Sequence, residues 1–282
     1  MIQRLISQWG KKASTVRLAR LLGVSRSGIY AAQRRRQTAS PSPLAASVLT
    51  AFRASGGNYG SRRVSAVLKA QGLSVGRYRA RRLMREQGLK ARWRRKFVHT
   101  TSSRHDLPVA ENILDRQFRP AAIDHAWVAD ITYIRTGRGW LYLAAVMDLY
   151  SRKIVGWAMA PTMPAELVCS ALKMALDLRK PGPGLIVHSD RGSQYAGHLH
   201  QALLKHHKLV PSMSRKANCW DNAVMERFFL NLKMERVWQR SYANHGEAIA
   251  DIANYIVGFY NTHRLHSTLG YRSPTDYEQA AA

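Results

Sequence analysis

Three carboxylates stand far apart in a chain that is otherwise poor in acids, with 17 Asp and Glu against 44 Lys and Arg. Asp130 lies in Trp-Val-Ala-Asp-Ile-Thr-Tyr, Asp190 in His-Ser-Asp-Arg-Gly-Ser-Gln-Tyr and Glu226 in Asp-Asn-Ala-Val-Met-Glu-Arg-Phe-Phe, and 35 residues separate the last two. Mg²⁺ and Mn²⁺ prefer oxygen ligands, and two such ions ~4 Å apart can activate an attacking oxygen and stabilise a leaving one. We predict that these acids bind two divalent ions, Mg²⁺ with Mn²⁺ as an alternative, for phosphoryl transfer on DNA.

The neighbours of these acids refine this prediction. Asp130 stands between Val128 and Ile131 in a strand-like run, where an unpaired carboxylate would cost on the order of several kcal/mol unless it is paired or bound to metal. Lys233 follows Glu226 by two helical turns, ~10 Å along one helix face, so we expect it to contact a flanking phosphate rather than the metals. Asp148 and Asp221 are expected to be structural: Asp148 closes a strand and Asp221 caps a helix.

The second half of the chain has the pattern of an α/β domain. Residues 127–134, 140–149 and 153–159 read as strands whose tight connections predict antiparallel pairing. A helix, a short strand at 185–188, a helix, a strand at 209–213 and a long helix follow. This order predicts a ribonuclease H-like catalytic core, a mixed five-stranded sheet with flanking helices, with the strands of Asp130 and Asp190 adjacent at its centre.

Positive charge is concentrated at the amino-terminal end. Residues 1–99 contain 23 Lys and Arg and a single acid, Glu86, out of a net charge of +27 for the chain. Such a region repels itself unless a polyanion neutralises it, and double-stranded DNA is the partner we expect. Cys169 and Cys219 have no Cys-x-x-Cys spacing, which excludes a zinc signature and a disulfide framework.

The basic region reads as two small all-α helix-turn-helix modules. In the first, Ser25 caps a helix that carries Arg26; in the second, Ser74 caps a helix through Glu86 in which Val75, Tyr78 and Leu83 are the apolar anchors. The DNA-binding candidates are Arg26, Arg77, Arg81, Arg82 and Arg85, besides Lys233.

These patterns divide the chain into six parts. Residues 1–36 form the first module, 37–45 a linker, 46–91 the second module and 92–122 a basic linker. Residues 123–240 form the core, and 241–282 a helical extension. No run approaches 18 consecutive apolar residues and no signal peptide follows Met1, so we expect no membrane partner and a cytoplasmic, nucleoid-associated bacterial protein.

The motifs resemble those of the DDE transposases of bacterial insertion sequences, in the OrfB-type group of insertion sequence family three, whose catalytic core is similar to that of retroviral integrases. The resemblance runs nearly end to end. It is carried by the runs around Asp130, Asp190 and Glu226, by Leu22-Gly-Val-Ser-Arg-Ser near the start and by Tyr260-Asn-Thr-His-Arg-Leu-His-Ser-Thr-Leu-Gly in the tail.

The resemblance implies that Asp130, Asp190 and Glu226 are the metal-binding triad and that Lys233 contacts DNA. It further implies hydrolysis at the element's ends to free a 3′-OH, and attack of that hydroxyl on a target phosphodiester. Members of the group act as homo-multimers on paired ends. In many of them an upstream OrfA-type protein, as a partner or a frameshift fusion, supplies a further helix-turn-helix and a leucine zipper.

Two other readings of the sequence remain open. One is a catalytically idle DNA-binding regulator of transposition, which the intact triad argues against. The other is a nuclease of ribonuclease H type on RNA–DNA hybrids, which the basic helical front end argues against because only B-form grooves admit a helix.

Overall fold

A mixed five-stranded sheet lies at the centre of the computed structural model, which describes residues 16, 19–20, 23–37, 43–92, 107–215 and 219–281. Antiparallel pairing joins β1 (Ala126–Thr136) to β2 (Gly139–Asp148) and β2 to β3 (Ile154–Ala160). The short strands β4 (Ile186–Ser189) and β5 (Val210–Met213) pair in parallel, giving the order β3-β2-β1-β4-β5. The predicted sheet and its central neighbours are confirmed.

Four helices precede the sheet among the described residues. They are α1 (Arg26–Gln37), α2 (Pro43–Ala54), α3 (Ser61–Ala70) and α4 (Arg77–Glu86). The last three bury a small apolar cluster of their own, which includes Val48, Leu68 and Leu83. Much of the predicted first module before Gly23, and residues 93–106 of the predicted basic linker, lie outside the described residues.

Details of these helices confirm some expectations and correct others. The Ser25 hydroxyl accepts a hydrogen bond from the Gly28 backbone N–H at 3.0 Å, as expected of a cap. The prediction that Ser74 caps the second helix is wrong, because α4 begins at Arg77 after an extended Gly76. Tyr78, expected to pack inside, is 72% exposed, and Ala80 and Met84 are buried instead. The buried positions of α4 thus follow helical spacing from Ala80.

Helices cover both faces of the sheet. On one face, α5 (Ala165–Arg179) packs against Trp127 and Val187; on the other, α8 (Ala223–Glu235) packs against Val128 and Leu143. A Cβ at Gly156 would collide with the Ala171 carbonyl, so glycine permits α5 to lie close to β3. The remaining helices are α6 (Ser193–Ala196), α7 (His198–His206), α8 (Ala223–Glu235), α9 (His245–Asn254), which continues as a π-helical turn (Tyr255–Tyr260), and α10 (Pro274–Gln279).

The carboxy-terminal extension joins the basic helices to the core. The Tyr59 hydroxyl donates to the His263 carbonyl at 3.1 Å and accepts from the Leu265 N–H at 2.9 Å. Arg63 Nε donates to the Leu265 carbonyl at 2.9 Å. No helix within the described ranges is both long and apolar enough to span a bilayer.

Candidate active site

The three predicted acids lie on three elements that meet at the centre of the fold. Asp130 is in the middle of β1, Asp190 directly follows β4, and Glu226 lies in the first turn of α8. The parallel pairing of β1 with β4 sets the first two side by side. Asn222, just before α8, donates from its side-chain amide to the Ala129 carbonyl at 3.4 Å. This contact anchors the start of α8 beside Asp130.

The electrostatics of Asp130 show that the acids affect one another. Burial by the surrounding protein raises the pKa of Asp130 well above its usual value, and the charges of Asp190 and Glu226 raise it further. A hydrogen bond from the Ile131 N–H, at 2.8 Å, acts in the opposite direction. Ionised carboxylates gathered in this way repel one another, which is the situation that a bound cation relieves.

The Asp190 side chain is held by the turn that follows β4. Its Oδ1 accepts a hydrogen bond from the Gly192 N–H at 2.9 Å. A Cβ at position 192 would lie only 3.0 Å from that oxygen. Glycine therefore avoids a steric clash with the carboxylate. Behind the turn, the buried His188 bridges Ser212, at 2.9 Å, and Ser214, at 3.2 Å. The strand ends around Asp190 are thereby tied together.

Lys233, the predicted phosphate contact, packs against Tyr133 and acts electrostatically on Asp130. Its Nζ stands 4.4 Å from the centre of the Tyr133 ring, and its charge acts to lower the pKa of Asp130. Burial lowers the pKa of Lys233 itself, an effect that Asp130 opposes. Lys233 therefore places a positive charge beside the acids, and its contact with a phosphate stays a prediction.

Two polar residues at the site received no role from the sequence. The Tyr195 hydroxyl is buried and has no hydrogen-bond partner within the described part of the chain. Burial raises its pKa well above the usual value, and the charges of Asp130 and Asp190 add to this effect. The side-chain oxygen of Asn222 is likewise buried without a partner there. Their positions in the motifs of Asp190 and Glu226 were the only signal in the sequence.

The two acids set aside as structural behave differently. Asp148 ends β2 as predicted and accepts hydrogen bonds from Ser151 and from the Asp124 N–H. The prediction that Asp221 caps a helix is wrong. Asp221 lies in a separate 3₁₀ turn (Cys219–Asn222), and α8 begins only after Asn222.

Asp221 instead links residues 112–116, which precede the core, to the turn before α8 through hydrogen bonds. It accepts hydrogen bonds from Asn112 at 3.0 Å, from Arg116 at 2.7 Å, and from the backbone and side chain of Arg215. Although burial opposes ionisation, these hydrogen bonds lower the pKa of Asp221 to about 2.

The predicted DNA-binding arginines lie away from the acids, on the helices before the core. All five are exposed, and on α4 the spacing of Arg77, Arg81 and Arg85 places them on successive turns of one face. Arg82 forms an exposed ion pair with Glu86 at 3.6 Å. Arg26 lies in the first turn of α1 with its guanidinium 5.8 Å from the Tyr30 ring.

The donor chemistry of the site suits a hard cation, since Asp130, Asp190 and Glu226 offer carboxylate oxygens alone. Burial, together with the charges of Asp190 and Glu226, raises the pKa of Asp130, and a bound cation would offset both effects. Across the described ranges, however, no three His, Cys, Asp or Glu side chains are close enough to enclose one ion together.

A ribonuclease H-like sheet with acids converging on its central strands defines the class of the polynucleotidyl transferases. Family models agree: the integrase core domain matches residues 120–219 and, in a second model, 207–274, and an HTH-like domain matches residues 43–97.

Full-length relatives identify the family. An uncharacterized 31 kDa protein of insertion element IS600 from Shigella sonnei is 43% identical over 93% of this chain and 97% of its own length. The transposase InsF of insertion sequence IS3A from Escherichia coli K12 is 42% identical over 93% of this chain and 92% of its own. A simian T-cell lymphotropic virus intasome structure aligns with 78% of this chain, and 70% of that chain, at 14% identity and a TM-score of 0.49. The chain belongs to the IS3-type insertion-sequence transposases, and the predicted family is confirmed.

Proposed function

We propose that this transposase cleaves double-stranded DNA at the ends of its own insertion element and joins those ends to target DNA. In the first step water attacks a phosphodiester, the bond from phosphorus to the 3′ oxygen breaks, and a 3′-OH is released. In the second step that hydroxyl attacks a target phosphodiester, a new P–O bond forms, and the target strand leaves with a 3′-OH of its own.

The observation that carries this proposal is the convergence of Asp130, Asp190 and Glu226 on the centre of the sheet, where they raise the pKa of Asp130. These side chains would hold two divalent ions, Mg²⁺ or Mn²⁺. Such ions supply activation of the attacking oxygen and stabilisation of the leaving oxygen. The chain's own contribution is position: β1, β4 and α8 hold the three acids, and Lys233 brings a positive charge for a phosphate beside them.

The helices before the core bind the duplex DNA. Arg77, Arg81 and Arg85 form an exposed row on α4, whose opposite face is buried through Ala80, Leu83 and Met84. Such a row neutralises phosphates and positions the duplex. Arg26 and Arg82 add further positive charge. The contribution of Arg82 is smaller because the ion pair with Glu86 partly neutralises it.

We place the protein in a homo-multimer on paired element ends, as its family implies. An OrfA-type protein, as a separate partner or a frameshift fusion, contributes further end recognition. This part of the proposal follows from the family.

A strand-transfer assay on labelled duplex DNA with the element's own ends tests the function. We expect joined products with Mg²⁺, none with EDTA, and none from Asp190→Asn. The matched control is Asp177→Asn, the same change at an exposed position of α5, which should leave joining intact.

Other outcomes would contradict the proposal. Metal-independent binding without joining, with the OrfA-type partner present as well, would establish an idle regulator. Cleavage of an RNA–DNA hybrid in preference to the duplex would establish a ribonuclease.

A further inference from the structure

Two aromatic rings with a cation at each end lie along the hairpin of β1 and β2. The guanidinium of Arg135 is 5.2 Å from the centre of the Trp140 ring, and the Trp140 and Tyr133 rings meet edge to face at 5.1 Å. Lys233 Nζ then stands 4.4 Å from the Tyr133 ring. These four residues are called the hairpin strip below, and Lys233 connects the strip to Asp130 through its charge.

The strand register explains why the strip forms. Arg135 and Trp140 are directly opposed across the antiparallel pair, and Tyr133 is two residues from Arg135, so their side chains share one face. On its other edge, β1 pairs with β4 only from Ala126 to Val128. Farther along, this edge of β1 meets only the backbone bridge of Thr136 with Tyr242 among the described residues, and Lys233 of α8 contacts Tyr133.

The strip is accessible and uniformly positive. Trp140 is 43% exposed, which is unusual for so large an apolar side chain, and Arg135 is exposed as well. From residue 131 to 147 the chain contains Arg135 and Arg138 and no acid. Rings between cations match the chemistry of a nucleic-acid strand, because bases stack on aromatic faces and phosphates pair with the cations.

The geometry points to a nucleotide-binding subsite: we propose that the hairpin strip stacks an unpaired base of the DNA that the protein binds. The base must be unpaired because a ring cannot reach the face of a base that is stacked inside a duplex. The proposal rests on the proposed function in that DNA is the ligand. It adds that DNA with a frayed end binds better than blunt DNA, and that Trp140 is the cause.

The test measures binding rather than catalysis, with full-length Asp190→Asn protein in EDTA. The probes are one duplex with blunt ends and one with a few unpaired nucleotides that include 2-aminopurine, a base whose fluorescence is quenched by stacking. We expect the frayed probe to bind about tenfold more tightly than the blunt one, a ratio that one base–aromatic stack can supply. Its fluorescence should fall on binding.

Three further changes in the same background isolate the strip. Trp140→Ala should remove both the preference and the quenching while blunt DNA binds as before, and Trp140→Phe should retain most of both. Arg138→Ala removes a charge at the hairpin turn outside the strip, so it should weaken both probes equally. Circular dichroism and the melting temperature verify that each variant folds.

Two results would overturn the proposal: an equal affinity for both probes, or a preference and quenching that survive in Trp140→Ala. Failure of the proposed function would be seen elsewhere, as joining that persists in Asp190→Asn.

Discussion

The two ends of α8 place acidic groups in opposite electrostatic surroundings. At its carboxyl end Glu235 accepts three hydrogen bonds from Arg264, at 2.8, 3.0 and 3.2 Å, and one from the Tyr255 hydroxyl at 2.7 Å. Burial alone would lower the pKa of Arg264, yet Glu235 raises it. At the amino end, Glu226 joins Asp130 and Asp190; burial raises the pKa of Asp130, and the charges of the other two acids raise it further.

This difference distinguishes a structural charge from a functional one. The negative charge of Glu235 is balanced by the guanidinium of Arg264, which is also buried. This pair is therefore neutral without a bound cation. Around Glu226 the fold assembles like charges at some loss of stability, which is typical of a site that awaits a cationic ligand. One helix therefore combines a buried ion pair with an acid of the proposed active site.

The largest effect is expected at the amino end of α8. Glu226→Gln should reduce strand transfer by on the order of a hundredfold to a thousandfold, the range for loss of one preorganised group that stabilises charge. Because Glu226 is exposed, the melting temperature should hardly change. Glu166→Gln, at an equivalent first-turn position of α5, is the control. A similar loss of joining in both variants would remove the special role of Glu226.

The next effect is expected at the carboxyl end. Arg264→Leu leaves Glu235 buried without its cation and should lower the free energy of unfolding by about 3–5 kcal/mol. Urea denaturation measures this change. Arg82→Leu, which breaks the exposed pair with Glu86, should cost less than about 1 kcal/mol. Equal losses in the two variants would show that burial is not what matters.

A smaller effect of opposite sign is expected at Asp130. Because its folded pKa is raised, the wild type loses stability as pH increases from the unfolded value, about 3.9, through the folded one. Asp130→Asn does not titrate, so in EDTA at pH 7 it should melt a few degrees higher than the wild type.

The difference at Asp130 should vanish near pH 4, and Mg²⁺ should reduce it by stabilising the wild type alone. Melting curves across this pH range, with and without Mg²⁺, measure both effects. A less stable Asn variant at pH 7 in EDTA would contradict the view that repulsion dominates this site.

The smallest effects belong to single exposed arginines of α4, whose charges compete with solvent. Arg81→Ala should weaken DNA binding uniformly across sequences and reduce the slope of log affinity against log salt by about 0.9. Arg82→Ala should change the slope less, because Glu86 already pairs with that residue. Salt titrations of DNA binding compare the two, and an equal change in slope would argue that the ion pair opens on DNA.

Local pattern was sufficient for much of this molecule. Strand alternation, helical spacing and the turns at Pro and Gly predicted the order of the core elements. The carboxylates stood out because Asp130 interrupts an apolar strand and the chain is otherwise basic. These signals lie within a few residues of each position they describe, and so the sequence carries them directly.

Contacts between distant segments could not be read in this way. Glu235 meets Arg264 across 29 residues, and Asp221 meets Asn112 across 109, which is why Asp221 looked like a helix cap. Lys233 meets the Tyr133 ring across 100 residues. The sequence determined which elements form and which residues are unusual. The tertiary structure decided which charges are neutralised, because the partners that neutralise them come together only in the folded chain.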